Sequence, residues 1–115
     1  MPPPRRRPPR SPEHAALGEA LKLLRREADL KQEELADLTG MNFNQIGRIE
    51  RGQGNPSFTT LMRLTAALEI SFGRVAALTD RFLAEEEEEG QRRRDSDQKA
   101  STTRSQSAST SSAQP

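Results

Sequence analysis

The sequence contains no cysteine, no tryptophan and no tyrosine, and its one histidine is His14. Without cysteine the chain can form neither a disulfide framework nor a zinc–thiolate site, and a lone histidine has no partner for a metal cluster or a catalytic dyad. Paired carboxylates in a pocket-like arrangement are also missing. The sequence therefore predicts that the protein is not an enzyme and needs no metal or cofactor, and His14 is interpreted as a surface residue at a helix start.

Long apolar segments are absent as well. Nowhere do about 18 apolar residues follow one another, so no membrane span is expected. The N-terminal MPPPRRRPPR is basic but is not followed by the apolar segment of a signal peptide. We therefore expect a cytoplasmic protein. With 115 residues, 31% of them hydrophobic, the chain can build at most one small domain.

Charge is unevenly distributed along the chain. Residues 1–10 carry four arginines and no acidic residue, and residues 91–115 carry five basic and two acidic side chains. Residues 11–84 contain nine Lys or Arg against ten Asp or Glu. The middle of the chain is thus not a basic domain, and net charge alone does not indicate nucleic-acid binding.

The two ends of the chain lack the composition of a folded domain. Residues 1–10 alternate proline with arginine, which favours an extended, disordered arm. Residues 85–115 begin with the acidic block 85–89 and continue as a Ser/Thr-rich tail; residues 91–115 contain no Leu, Ile, Val or Phe, so burial could not offset the entropy of ordering them. We predict one domain, residues 11–84, between two disordered tails.

Residues 11–84 have a helical period and no alternating strand pattern, which predicts an all-α domain. Helix starts are marked by Ser11 followed by Pro12, and by Asn42, Ser57 and Ser71. Gly40 is typical of a residue that ends a helix. The pattern predicts five helices, at about 12–28, 32–39 and 43–50, after Ser57, and at about 72–84.

The second and third predicted helices, with a short Gly-containing link, are typical of a helix-turn-helix unit over residues 32–51, whose second helix can lie in the DNA major groove. We predict that Ile46 and Ile49 face the core. The other sides of that helix then carry side chains that match base edges, together with Gly47, where a bare position allows close approach. An isolated polar helix face is more often only solvated. The residues on this side are Asn42, Phe43, Asn44, Gln45, Gly47 and Arg48.

The run QEELADLTGMNFNQIGRIERGQGNPS, residues 32–57, closely resembles the phage-repressor and Cro class of helix-turn-helix domains, the xenobiotic-response-element family. The resemblance covers about residues 14–78. It implies a five-helix, lambda-repressor-like domain and a sequence-specific regulator of transcription, expected to be a repressor, that binds a double-stranded DNA operator. The residues that carry it are Gln32, Ala36, Gly40, Ile46, the Arg-Ile-Glu-Arg-Gly run 48–52 and Asn-Pro-Ser 55–57.

The resemblance also implies roles for individual residues. Gln32, at the start of the second helix, would bind a phosphate. Base readers would be Phe43, Asn44 and Arg48, with Asn42 and Gln45 beside them as base or phosphate contacts. The loop residues that would meet the DNA backbone are Arg51 and Asn55. The family's interior ion pair would be formed by Arg25 and Glu50.

Four positions depart from the family pattern. Phe43 is one of them, because the family more often has a polar residue at this base-reading position. Asp29 and Glu69 stand where a glycine usually ends the first and fourth helices, and Lys31 stands where Ser or Thr usually caps the second. Asp adopts a left-handed conformation less readily than glycine but more readily than most residues. We expect slightly different helix ends and the same fold.

Several alternatives remain open at this point. The apolar residues Phe82 and Leu83 of the helix 72–84 indicate either a homodimer face or intramolecular packing. The RRRPPR segment is either a DNA-binding arm or a non-specific polyanion binder. The runner-up functions are an antitoxin-type operator binder whose tail holds a partner protein, and a helical adaptor or coactivator that uses the fold for protein contacts.

Overall fold

The computed structural model describes residues 7–109, with side chains for residues 7–98. Within that range the chain forms five helices and no strand, which confirms the predicted all-α fold. The described residues divide into two compact units, residues 7–84 and residues 85–109. The helices are α1 (Pro12–Glu27), α2 (Gln32–Thr39), α3 (Phe43–Glu50), α4 (Phe58–Leu68) and α5 (Phe72–Ser109).

The helix starts follow the predicted capping residues. Ser11, Asn42, Ser57 and Ser71 each accept a side-chain hydrogen bond from a backbone N–H two or three residues later, at 2.7 to 3.2 Å. These bonds satisfy amide groups that have no partner inside the helix. Gly40 ends α2 in the left-handed conformation, with φ of 69°. Local sequence chemistry therefore sets these boundaries.

Asp29 and Glu69 keep the left-handed turn that glycine usually supplies at these helix ends. Their φ angles are 58° and 56°. Such a conformation crowds Cβ against the backbone and costs a residue other than glycine roughly 1–2 kcal/mol. The fold is thus preserved at these two positions at some cost in stability.

We expect Glu69→Gly to raise the free energy of unfolding by about 1 kcal/mol, because glycine relieves this strain and only part of the gain is lost to the greater freedom of the unfolded chain. For a domain of this size that corresponds to a rise of about 4–8 °C in the thermal midpoint. Ala66→Gly, at an exposed position within α4, is the matched control and should lower the midpoint. Equal effects of the two substitutions would contradict the prediction.

The core of the first unit confirms that Ile46 and Ile49 are buried, with exposed fractions of 2% and 7%. They pack with residues from the other helices of that unit. Burial of α3 through these two isoleucines fixes which side of the helix faces outward. The remaining core residues are Leu21, Leu24, Leu35, Ala36, Leu64, Leu68 and Val75.

Three apolar residues near helix ends are exposed: Ala28, Phe58 and Phe72. Ala28 is the C-cap of α1 and lies past its last turn. Phe58 and Phe72 are the first residues of α4 and α5, and their rings pack edge to face with centroids 5.7 Å apart. This aromatic pair therefore lies on the surface of the first unit.

Helices α1 and α3 approach each other most closely at Gly18. A Cβ built on Gly18 would lie 2.5 Å from the carbonyl oxygens of Ile49 and Glu50. No side chain can occupy such a position without moving the backbone. Gly18 thus lets α3 pack directly against α1, a close approach that the sequence pattern did not predict.

The end of α5 differs from the prediction. The sequence pattern ends this helix near residue 84, whereas the structure continues it to Ser109. Residues 85–98 bury no side chain, and the helix there is supported by pairs along its own surface, such as Arg93 with Glu89 at 2.7 Å. Such i, i+4 pairs and good helix-forming residues act without a core. Residues 1–6 of the predicted arm and 110–115 of the predicted tail lie outside the described residues.

Candidate nucleic-acid interface

A buried ion pair ties α1 to the C-terminal end of α3. Arg25 Nε donates to Glu50 Oε2 at 2.6 Å, and its Nη2 donates to Oε1 at 3.0 Å. Nη1 of the same guanidinium donates to the carbonyl of Leu30 at 2.7 Å. Both side chains are almost fully buried. The pair that the family resemblance implied is brought together in bidentate geometry and holds α3 at a fixed place in the domain.

Gln32 lies at the start of α2, as the sequence indicated, but its side chain turns partly inward. Its Nε2 donates to Glu50 Oε1 at 3.0 Å. One hydrogen of that amide nitrogen remains for another acceptor. Gln32 therefore belongs to the buried network and also reaches the surface, since it is half-buried.

The outward side of α3 carries five of the six residues that were predicted to read bases. Asn42, Phe43, Asn44, Gln45 and Arg48 are exposed. The Phe43 side chain is 46% exposed, which leaves its ring open to an apolar contact. Amide, aromatic and guanidinium groups thus share one exposed surface next to the buried isoleucines.

Gly47 is the exception, and the expectation that it meets solvent is wrong. Gly47 is buried, and Nη1 of Arg51 lies 2.9 Å from the position that a Cβ would take. Arg51 is four residues further along and so lies over the same face of the helix. In this structure the bare position accommodates the Arg51 guanidinium.

The three amides near the start of α3 differ in what holds them. Asn42 Oδ1 accepts from the backbone N–H of Asn44, and Gln45 Oε1 accepts from that of Asn42 at 2.9 Å. These reciprocal bonds form a capping box and orient both amides against the backbone. The Asn44 side chain makes no hydrogen bond within the described residues. Only Asn44 can therefore turn both its donor and its acceptor toward a ligand.

The loop after α3 is hydrogen-bonded to the N-terminal segment, which we define as residues 7–14. Arg10 N donates to the carbonyl of Gly52 at 2.9 Å, and Arg10 Nε donates to that of Gln53 at 2.7 Å. In return Gln53 Nε2 donates to the carbonyl of Arg7 at 2.6 Å. The last residues of the predicted arm are thus fixed beside the C-terminal end of α3.

His14 forms a second connection to the same loop. Its Nε2 lies 3.0 Å from Asn55 Oδ1, and its Nδ1 lies 2.6 Å from Ser11 Oγ. Glu13 is the neighbour of His14 in the chain. Hydrogen bonds from the Glu13 backbone and from the Ser11 side chain hold the pKa of the exposed Glu13 carboxyl below its usual value. Neither His14 nor Arg10 was predicted as a site residue. Contacts across 41 and 43 residues leave no periodic signal in a sequence.

A recess of about 380 Å³ opens between α3, the loop after it and the start of α4. Arg10, Gln45, Arg48 and Asn55 are among the residues that line it. None of the described lining residues is acidic. We call this the loop recess. It is positively charged and adjoins the exposed side of α3, because Gln45 and Arg48 belong to both.

The described residues offer little to other kinds of site. No helix among residues 7–109 is both long and apolar enough to cross a membrane. No group of three His, Asp or Glu side chains in the described part of the chain is placed to hold a metal ion.

Comparison with known proteins identifies the family. The helix-turn-helix family model HTH_3 matches residues 21–75. An uncharacterized HTH-type transcriptional regulator, y4dJ of Sinorhizobium fredii, is 39% identical over 57 residues, which are 50% of this chain and 74% of that protein. This chain belongs to the helix-turn-helix family of transcriptional regulators. The DNA-binding, xenobiotic-response-element class implied by the sequence resemblance is thereby confirmed.

Two solved structures of regulatory proteins share the fold. The restriction-modification controller protein C.AhdI from Aeromonas hydrophila is 34% identical, with a TM-score of 0.56, and the match covers 56% of this chain and 98% of that one. The clp gene regulator ClgR from Corynebacterium glutamicum has a TM-score of 0.69 at 24% identity, over 71% and 87% of the two chains, and supports the fold alone.

Proposed function

We propose that residues 11–84 form the operator-binding domain of a cytoplasmic transcriptional repressor that reads double-stranded DNA with α3 in the major groove. One observation carries this proposal: the side chains of Asn44 and Arg48 are exposed and make no hydrogen bond within the described residues, while Ile46 and Ile49 anchor the opposite side of α3 in the core. Side chains that can form bidentate contacts with bases are thus held on a rigid helix and left without internal partners.

The hydrogen bonds around α3 suggest different tasks for its side chains. Asn44 is free to bond both N6 and N7 of an adenine, and Arg48 to bond O6 and N7 of a guanine. Phe43 can contact a thymine methyl group. The capped amides of Asn42 and Gln45 keep their nitrogens as donors, which suits acceptors such as phosphate oxygens or guanine. Gly47 is not included, since Arg51 covers it.

We propose that Gln32, Arg51 and Asn55 contact the phosphate backbone. Gln32 keeps one amide hydrogen beyond its bond to Glu50, and the exposed Arg51 guanidinium lies over the C-terminal half of α3. Such contacts set the register of the domain on the duplex and carry no sequence information themselves. Arg25 and Glu50 have a structural role, because both are buried in their pair.

The repressor is proposed to bind as a homodimer through helix residues 72–84. The exposed ring pair of Phe58 and Phe72, together with Met62, which is 42% exposed, forms an apolar surface where α5 begins. Exposed apolar clusters of this kind often mark protein contacts. A two-fold dimer would read two half-sites separated by about 34 Å. A partner protein bound by the tail remains a proposal of the sequence alone.

Selection of bound duplexes from a random pool should yield a defined operator with two half-sites. Against that operator, Asn44→Ala and Arg48→Ala should each weaken binding by about 1–3 kcal/mol and relax the preference at one base pair, because each removes a contact to one base. Affinities are measured by fluorescence anisotropy at fixed salt, and base preference by repeating the selection with each variant.

Arg63→Ala, at an exposed arginine on α4, removes a charge of the same kind outside α3 and should leave the base preference unchanged. If selection enriches no sequence, operator binding by α3 is wrong. If duplex binding is unchanged by both α3 substitutions, the result favours the alternative function, a helical adaptor that uses the fold for protein contacts.

A further inference from the structure

The N-terminal segment and the loop after α3 form one hydrogen-bonded unit. Three bonds join Arg7 and Arg10 to Gly52 and Gln53, and His14 contacts Asn55. Pro9 also packs closely there, since its Cβ lies 2.9 Å from the position that a Cβ on Gly52 would take. Residues 7–10 are therefore held in place although they precede the first helix. The position of Arg10 is fixed by the fold.

Two side chains at the loop recess can donate from a fixed place. Arg10 uses Nε for the Gln53 carbonyl, which orients its guanidinium and leaves the two terminal nitrogens without a bond in the described part of the chain. Gln45 uses its oxygen in the capping box, so its nitrogen remains a donor. A recess with cationic and amide donors and no described carboxylate favours an anion.

The place of the recess identifies the anion. Gln45 and Arg48 contribute both to the recess and to the exposed side of α3. If that side faces the bases, the adjoining recess meets the sugar-phosphate backbone that borders the groove. A free small anion could bind to the same donors. When α3 enters the groove, however, the anion that is brought to the recess is a phosphodiester group of the DNA backbone.

We propose that Arg10 is a ligand of a DNA phosphate, received in the loop recess that the N-terminal segment and the loop after α3 form together. The inference rests on the proposed function and adds a contact to it. Residues 11–84 contain ten acidic and nine basic residues. A positioned arginine outside this region therefore contributes strongly to the attraction between the protein and the duplex. The N-terminal segment is then part of the DNA-binding surface and not only a solubilising extension.

The test uses the full chain with Arg10→Gln, titrated by anisotropy against the selected operator and against a random-sequence duplex of equal length, between about 50 and 200 mM salt. The affinity for both duplexes should fall by the same factor, about five- to tenfold at the lower salt. The slope of log K against log salt should become shallower by about 0.9, the value for one lost phosphate contact. The preference for the operator should not change.

Arg26→Gln is the matched control, because Arg26 is exposed near the end of α1 and does not line the recess; its salt slope should equal that of the unaltered protein.

The outcomes separate the inference from the proposed function. An unchanged salt slope with Arg10→Gln, or an equal change with Arg26→Gln, overturns the inference while operator binding stands. A shift confined to the operator would make Arg10 a base contact and would also overturn it. If the unaltered protein binds no duplex at all, the proposed function fails and the inference fails with it.

Discussion

Glu50→Ala is expected to reduce the free energy of unfolding by about 3–5 kcal/mol, enough to unfold much of the population of a small domain. The substitution leaves the buried guanidinium of Arg25, which is only 7% exposed, without a countercharge. It also removes the acceptor of Gln32 Nε2. Denaturant unfolding followed by circular dichroism measures the loss. Glu50 is the last residue of α3, and its pair with Arg25 holds α3 to α1. DNA binding should therefore fall in parallel with the folded fraction.

The double substitution Arg25→Met with Glu50→Leu separates the charge from the packing. Replacing both partners of a buried pair by apolar residues of similar volume is often neutral or stabilising, whereas removing one partner leaves a buried charge. We expect the double variant to be much more stable than Glu50→Ala. If Glu50→Ala costs less than about 1 kcal/mol, the pair is effectively solvated and its structural role is refuted.

Ile46→Ala should lower the free energy of unfolding by about 2–5 kcal/mol, the range for truncating a large buried aliphatic side chain. Ile46 packs with Leu21, Leu35 and Leu64 in the core, so truncation of its side chain leaves a cavity that these neighbours fill only in part. Thermal and denaturant unfolding of the two proteins give the difference.

Ile46→Val is the graded control, since it removes a single methylene group and should cost about 0.5–1.5 kcal/mol. Under conditions where Ile46→Ala is still folded, the Ile46→Ala protein should retain the operator preference. A reduced folded fraction lowers the apparent affinity for all duplexes equally. A changed base preference at full folding would show that the cavity moves the exposed side of α3.

Local patterns predicted most of the architecture because helix boundaries depend on neighbours in the chain. The caps at Ser11, Asn42 and Ser57 act over two or three residues, and the spacing of Ile46 and Ile49 places both on one side of a helix. The pattern was less informative for the part of α5 after residue 84, which has no apolar face and where surface pairs such as Glu89 with Arg93 extend the helix. Periodicity of burial cannot detect such a helix.

The candidate site was predicted in composition but not in every orientation. The amide and arginine side chains of α3 follow from the buried isoleucines, as the sequence indicated. Gly47 was predicted to be exposed but is covered by the guanidinium of Arg51. The conformation of that side chain depends on its surroundings and does not follow from the sequence pattern. The capping box that restrains Asn42 and Gln45 was not predicted either, although an Asn followed three residues later by Gln is a recognisable signal for it.

By itself, the sequence determined five helices, the buried side of α3 and the family to which the chain belongs, since all three follow from residue types at short spacings. Only the tertiary structure decided that Arg10 and His14 meet the loop after α3, and that Gly18 brings α1 onto the end of that helix. Such contacts join residues distant in the chain, and their partners are selected by how the helices pack, which no local preference encodes.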